Sequence, residues 1–99
     1  MIIRKEETNG LLILAPDGRL DTNSSPELEA EIEASCIGIS ELMLDFGKLR
    51  YLSSAGMRVL LSAQQKANAE GFKMSLQNVN DEIMEVFEMT GFSDFLNII

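Results

Sequence analysis

Apolar residues along the chain come in short runs, broken by glycine, proline and charge, whose period alternates between strand-like and helix-like. Ile2–Glu6 and Leu11–Ala15 are two such runs, separated by Thr8-Asn9-Gly10. Asn and Gly both tolerate positive φ, so this segment predicts a β-hairpin. Pro16 has no N–H to give to a ladder and is expected to end or bulge the second strand. Asp17-Gly18 marks a turn, after which Arg19-Leu20 can resume it.

Ser24-Ser25-Pro26-Glu27 reads as a helix start, with a hydroxyl cap, proline at the first helical position and an acidic first turn. Leu28, Ile32 and Cys36 follow at i, i+4 and i+8, with Glu27, Glu29, Glu31 and Glu33 pointing elsewhere, and Gly38 ends the helix. Leu42–Phe46 is almost continuously apolar and predicts a central strand covered on both faces. Asp45 within it reads as a strand-end carboxylate accepting a backbone or hydroxyl hydrogen bond, in preference to a catalytic group. A loop carrying Lys48 and Arg50 then leads through Tyr51-Leu52-Ser53-Ser54 into a helix running to about Glu70. Met57, Leu60, Leu61, Gln64 and Ala67 share its inner side, and Gly71 follows its end. Phe72, Met74 and Leu76 alternate with Lys73 and Ser75, which predicts a strand with one buried face.

Asn80 is placed to cap a further helix with an acidic first turn (Asp81, Glu82), an inner stripe of Ile83, Val86 and Phe87, and a stop at Gly91. Ser93 is expected to cap one last turn before Leu96-Asn97-Ile98-Ile99, a terminal strand or docking tail. The methionines at 43, 57, 74, 84 and 89 fall mostly at core-facing positions. The order β-β-α-β-α-β-α implies one α/β domain over residues 1–99, with right-handed crossovers, a largely parallel sheet and an antiparallel hairpin at its start.

Composition narrows the function classes. At 99 residues the chain has room for one core, and 45% apolar content is ordinary for a globular protein. No run approaches the roughly 20 apolar residues of a membrane span, and Met1–Glu7 lacks the order of a signal peptide, so the expected location is the cytoplasm. The formal charge of −8 opposes binding to nucleic acid or to anionic membrane surfaces. There is no histidine, which removes Ser-His-Asp and Cys-His catalysis and the usual zinc sites. Neither an EF-hand spacing nor a P-loop is present. No metal or cofactor is therefore expected, and the lone Cys36 reads as core.

Open parallel sheets collect their sites beyond the carboxyl ends of strands. Two segments should meet there, Asp21-Thr22-Asn23-Ser24 and Tyr51-Leu52-Ser53-Ser54-Ala55-Gly56. Serines before helices are usually caps and nothing more. Here Tyr51 and Leu52 are apolar where a loop would be polar, and Ala55 and Gly56 leave little bulk for an approaching kinase. Gly56 also gives up helix propensity in the first turn, which asks for a reason. A phosphate at this point would add about −1.5 to −2 charges before free amides and a positive dipole end, which the helix tolerates and a partner fitted to a hydroxyl does not.

The run from Leu42 to Leu61, with Ser53-Ser54-Ala55-Gly56-Met57 at its heart, resembles the signature of the anti-sigma-factor antagonist family, the bacterial STAS domains. Gly18-Arg19-Leu20-Asp21 resembles that family's Gly-x-Leu-Asp motif before the first helix. The resemblance implies a STAS-type mixed, mostly parallel four- to five-stranded sheet with helices mainly on one face. It also implies partner switching. The unphosphorylated domain binds an anti-sigma factor, usually a serine kinase of histidine-kinase-like ATPase fold. The kinase then phosphorylates it, binding is lost, and a PP2C-type serine phosphatase resets the cycle. Carried over by position, the phosphoacceptor falls on Ser54, with Ser53 as the alternative because Ser53 stands where many members have Asp. Asp21 matches an acidic contact residue, and Thr22, Asn23, Ser53, Ala55, Gly56 and Arg58 complete the expected partner surface. Two other readings stay open: an unswitched scaffold or accessory subunit, and an enzyme with a Ser54 nucleophile. The second lacks a histidine, a nucleophile elbow and a neighbouring lysine base.

Overall fold

The computed structural model describes residues 1–99. Its first two strands, β1 (Ile2–Thr8) and β2 (Leu11–Leu20), form the hairpin expected from Asn9-Gly10. Both turn residues have positive φ, 49° at Asn9 and 85° at Gly10, which matches the twist of the flanking strands. Helix α1 (Ser25–Ser35), β3 (Glu41–Asp45), β4 (Leu49–Leu52), α2 (Ser54–Glu70), β5 (Lys73–Gln77) and α3 (Asp81–Thr90) follow, then a 3-10 turn at Phe92–Asp94. The sheet order is β1-β2-β3-β5, with β4 also on β2. Every pairing except β1–β2 is parallel.

β2 is longer than expected because Pro16 neither ends nor bulges it. The first half of β2 pairs with β3 up to Leu14, and its last part pairs with β4 from Gly18. Strand amides alternate in direction, and the Gly18 N–H donates to Lys48 O at 2.9 Å, so residue 16 faces the same side. There it meets the gap between β3 and β4, where a missing N–H leaves nothing unpaired. The irregularity lies instead between Gly18 and Arg19.

β4 is the strand the hydrophobic pattern did not reveal. β3 and β4 run as one interrupted strand along β2, joined by a turn in which the Leu49 N–H donates to Phe46 O at 3.0 Å. β3 is central, yet it is covered on one face and not on both. Leu42 and Leu44 are buried, whereas Glu41, Met43 and Asp45 are half-exposed on the face without helices. Asp45 accepts from the Gly47 amide (2.9 Å), Asn78 Nδ2 (3.0 Å) and Gln77 Nε2 (3.3 Å), so its donors are amides and no hydroxyl is involved.

The core lies between the helix-bearing face (Leu12, Leu14, Leu20, Leu42, Leu44, Met74, Leu76) and the inner stripes Leu28-Ile32-Cys36, Leu60-Ala63-Ala67 and Ile83-Phe87. Burial lifts the Cys36 thiol to a pKa of about 11, which fits a core residue and leaves little thiolate. Met57 and Met74 are buried, Met43 and Met84 are partly buried, and Met89 is exposed. Near the chain end, Gly91 precedes the last turn where Ser93 was expected to cap it. The tail adds one parallel bridge, with Leu76 N–H donating to Asn97 O and Ile99 N–H to Leu76 O, both at 2.9 Å.

Candidate functional site

The site forms where β2 and β4 end together. Leu20 pairs with Leu52, and the Ser53 N–H donates to Leu20 O at 2.9 Å, so the two loops leave the sheet side by side. The two expected segments therefore meet.

The start of α1 is closed by its own hydrogen bonds. Asp21 Oδ1 accepts from the amides of Asn23 (3.0 Å) and Ser24 (3.1 Å). Ser24 does not cap the helix through its hydroxyl as expected. Its backbone is already helical, so Oγ turns back, accepts from the Asp21 N–H at 2.9 Å and donates to Arg19 O at 2.6 Å. The Ser25 hydroxyl and amide both donate to Asp21 O. The Ser24 amide first, then the Asn23 amide, the Ser24 hydroxyl and the Arg19 charge hold the Asp21 carboxyl below its ordinary value, against a smaller desolvation.

The start of α2 is looser. Ser53 is extended (φ −91°, ψ 172°) and its Oγ accepts from the Gly56 N–H at 3.3 Å, the usual serine cap. Ser54 is the first helical residue, is exposed, and its hydroxyl has no hydrogen-bond partner in the protein. Gly56, expected among the contact residues, is buried. A Cβ on it would come within 2.7 Å of Leu52 Cδ1 and 2.9 Å of Leu20 Cγ. The lost helix propensity thus allows α2 to start against the sheet.

Between the two helices runs a groove of about 350 Å³ that takes in Thr22, Pro26 and Glu29 on one side and Ala55, Arg58 and Gln65 on the other. Of the expected site residues, Thr22, Ala55 and Arg58 share this groove. Asn23 and Ser54 are exposed beside it, and Asp21 and Ser53 are engaged in hydrogen bonds. Arg19 and Tyr51 were not among the expected contact residues. The Arg19 guanidinium lies 4.2 Å from the centroid of the Tyr51 ring and 3.9 Å from Asp21 Oδ2, which ties the two loops together. The pair sits across the β2–β4 ladder, and only recognition of β4 would have revealed it. Glu29 and Gln65 become visible only once α1 and α2 are packed. No group of three or more acidic or thiol side chains converges in a metal-binding arrangement.

A family model described as STAS domain matches residues 3–99. BtrV of Bordetella bronchiseptica, described as a candidate anti-sigma factor antagonist, is 36% identical over 94 residues, 93% of this chain and 80% of that protein. The structure is similar to that of the anti-sigma factor antagonist SpoIIAA in its unphosphorylated form. The TM-score is 0.84 over 99% of this chain and 88% of that one, at 18% identity. The phosphorylated form of the Bacillus cell fate determinant SpoIIAA gives 0.77 over 99% and 91%, also at 18% identity. At such identity the structural likeness speaks for the fold alone.

Proposed function

From the premise that this chain belongs to the STAS domain family, we propose that it is an anti-sigma factor antagonist that works by partner switching, with Ser54 as the switch. Residues 1–99 act as a single module. The unphosphorylated module binds an anti-sigma factor that is also a serine kinase of histidine-kinase-like ATPase fold. Phosphorylation of Ser54 ends the binding, and a PP2C-type phosphatase restores it. This exchange takes place in the cytoplasm, and no helix is long and apolar enough to cross a membrane. The chain regulates by binding and is not an enzyme.

One observation carries the choice of residue. Of the two serines at the head of α2, Ser53 uses its hydroxyl as the cap, whereas Ser54 presents a free hydroxyl to solvent. A kinase acting on Ser53 would have to break the cap first, and one acting on Ser54 would not. A phosphate on Ser54 then sits at the positive end of α2, where the helix accepts it. Asp21, Thr22, Asn23, Ala55 and Arg58 form the partner surface around it, with Ser53 and Gly56 fixing the start of α2.

The test uses three baits in lysate of the source organism: the unmodified protein, Ser54→Asp and Ser53→Asp. Aspartate is as good a cap as serine, so Ser53→Asp keeps the helix start. The expected result is an ATPase-fold kinase held by the unmodified protein and by Ser53→Asp and lost by Ser54→Asp. With ATP that kinase should place phosphate on Ser54. If all three baits hold the same partner, the switch is wrong and an unswitched scaffold takes its place.

A further inference from the structure

We infer that a phosphate on Ser54 is clamped by Arg58 and that the clamp removes this positive charge from the groove between α1 and α2. The inference rests on the reading of Ser54 as phosphoacceptor. Both residues lie in α2, which is helical from Ser54 to Glu70, so they stand four positions apart on one face. Arg58 is exposed and takes part in none of the protein's ion pairs. It lines the groove together with Glu29 of α1, which is also unpaired and farther than ion-pair distance. The other cation near the two loops, Arg19, is held by the Tyr51 ring and Asp21.

In the unmodified protein the groove therefore carries one unpaired positive charge and one negative charge. A phosphate dianion one turn away is a stronger partner for a guanidinium than a carboxylate across the groove, because it can accept two parallel hydrogen bonds. Once Arg58 turns to it, Glu29 is left as the groove's uncompensated charge. A single modification then changes two places on the partner surface, the head of α2 and the groove beside it. A neutral groove becomes an acidic one, and a partner fitted to the first is opposed by the second.

The experiment installs phosphoserine at position 54 during translation, so that neither kinase nor partner is needed. The second ionisation of the phosphate is followed by phosphorus NMR in the parent, in Arg58→Gln and in Lys73→Gln. Lys73 begins β5 at the opposite end of the sheet and controls for net charge. The expected phosphate pKa is lower in the parent than in Arg58→Gln by about half a unit, the size of one charge pair near the surface, with Lys73→Gln tracking the parent. The Arg58 Nε–H resonance should also move on phosphorylation. Coincident titrations for the parent and Arg58→Gln, or an equal shift in Lys73→Gln, overturn the clamp. Failure of the phosphoacceptor reading looks different: the phosphate titrates as described, yet the phosphoprotein binds the kinase as tightly as the unmodified one.

Discussion

The heads of α1 and α2, side by side at the carboxyl end of the sheet, begin from the same sequence grammar and end in opposite states. Both follow the last residue of a parallel strand, Leu20 in one case and Leu52 in the other, and both bring a Ser-Ser pair to a helix start. At α1 both hydroxyls are buried and bonded to the backbone, and a carboxylate takes two of the free amides. At α2 one hydroxyl caps and the other is left over. A pair of serines before a helix is thus no evidence of a switch. What separates the two heads is that the fold uses both hydroxyls at α1 and leaves one, that of Ser54, unused at α2.

The sharpest way to break this arrangement is to push α2 off the sheet. Gly56→Val places branched atoms where Leu20 and Leu52 already lie within about 3 Å of a mere Cβ. Overpacking in a filled core is expected to lower unfolding stability by about 3 kcal/mol, read as a fall in urea midpoint. Kinase binding should fail in the same variant. Next in size is the closed head of α1. Ser24→Ala leaves Arg19 O and the Asp21 N–H without their partner and is expected to cost about 2 kcal/mol. Ser53→Ala removes only a cap at the open head of α2 and should cost about 1 kcal/mol. Equal losses for Ser24→Ala and Ser53→Ala would erase the difference between the two helix heads.

The sequence exposes the difference only in part. The hairpin, all three helices, β3, β5 and the meeting of the two loops follow from period, caps and turn residues, because those signals are local. β4 does not, because Leu49-Arg50-Tyr51-Leu52 is four residues long with two exposed positions between two buried ones, a pattern without strand period. Its partner is the far end of β2, and Pro16 hides that end until the gap between β3 and β4 is seen. The coverage of β3 departs from expectation for a related reason. Met43 is apolar but sits on the face the helices leave open, and an apolar run cannot say how many faces are covered. In the site, the motif leads to Ser54, which the structure places exposed at the first position of α2. The role of Ser24 does not follow from the sequence, since a hydroxyl before a helix looks the same whether it bonds forward or back.

Acid should act on the head of α1 more than on that of α2. Asp21 is held below the ordinary carboxylate value by the Ser24 and Asn23 amides. Burial works to raise the pKa of Asp45, but Asn78, the Gly47 amide and Gln77 more than offset it. A carboxyl depressed in the folded state contributes stability above its unfolded pKa and loses it as pH falls through the folded one. The loss therefore begins below about pH 4. Asp21→Asn keeps an acceptor but not the charge, so its stability should fall less steeply with acid than the parent's, with Asp45 supplying the slope that remains. Parallel curves for parent and variant in urea midpoints between about pH 5 and about pH 2 would remove the carboxylate from the account of that turn.

The smallest effect is the most telling. Ser54 is the residue the fold does not need: its side chain is exposed, and the cap beside it belongs to Ser53. Alanine also suits the first turn of a helix at least as well as serine. Ser54→Ala is therefore expected to change stability by no more than about 0.5 kcal/mol, the usual range for a surface position. The same variant should take up no phosphate from the kinase while still binding it, since the hydroxyl is small and unbonded. A large loss of stability would mean that this hydroxyl holds the fold after all, and the head of α2 would then be as closed as that of α1. Retained phosphate uptake with unchanged stability would point to Ser53, and the kinase would then have to open the cap before each transfer. Uptake at the parent's rate would make Ser53 the acceptor in the parent as well, whereas uptake about fivefold slower, the factor that opening a cap of about 1 kcal/mol imposes, would make Ser53 only a substitute for the missing Ser54 hydroxyl.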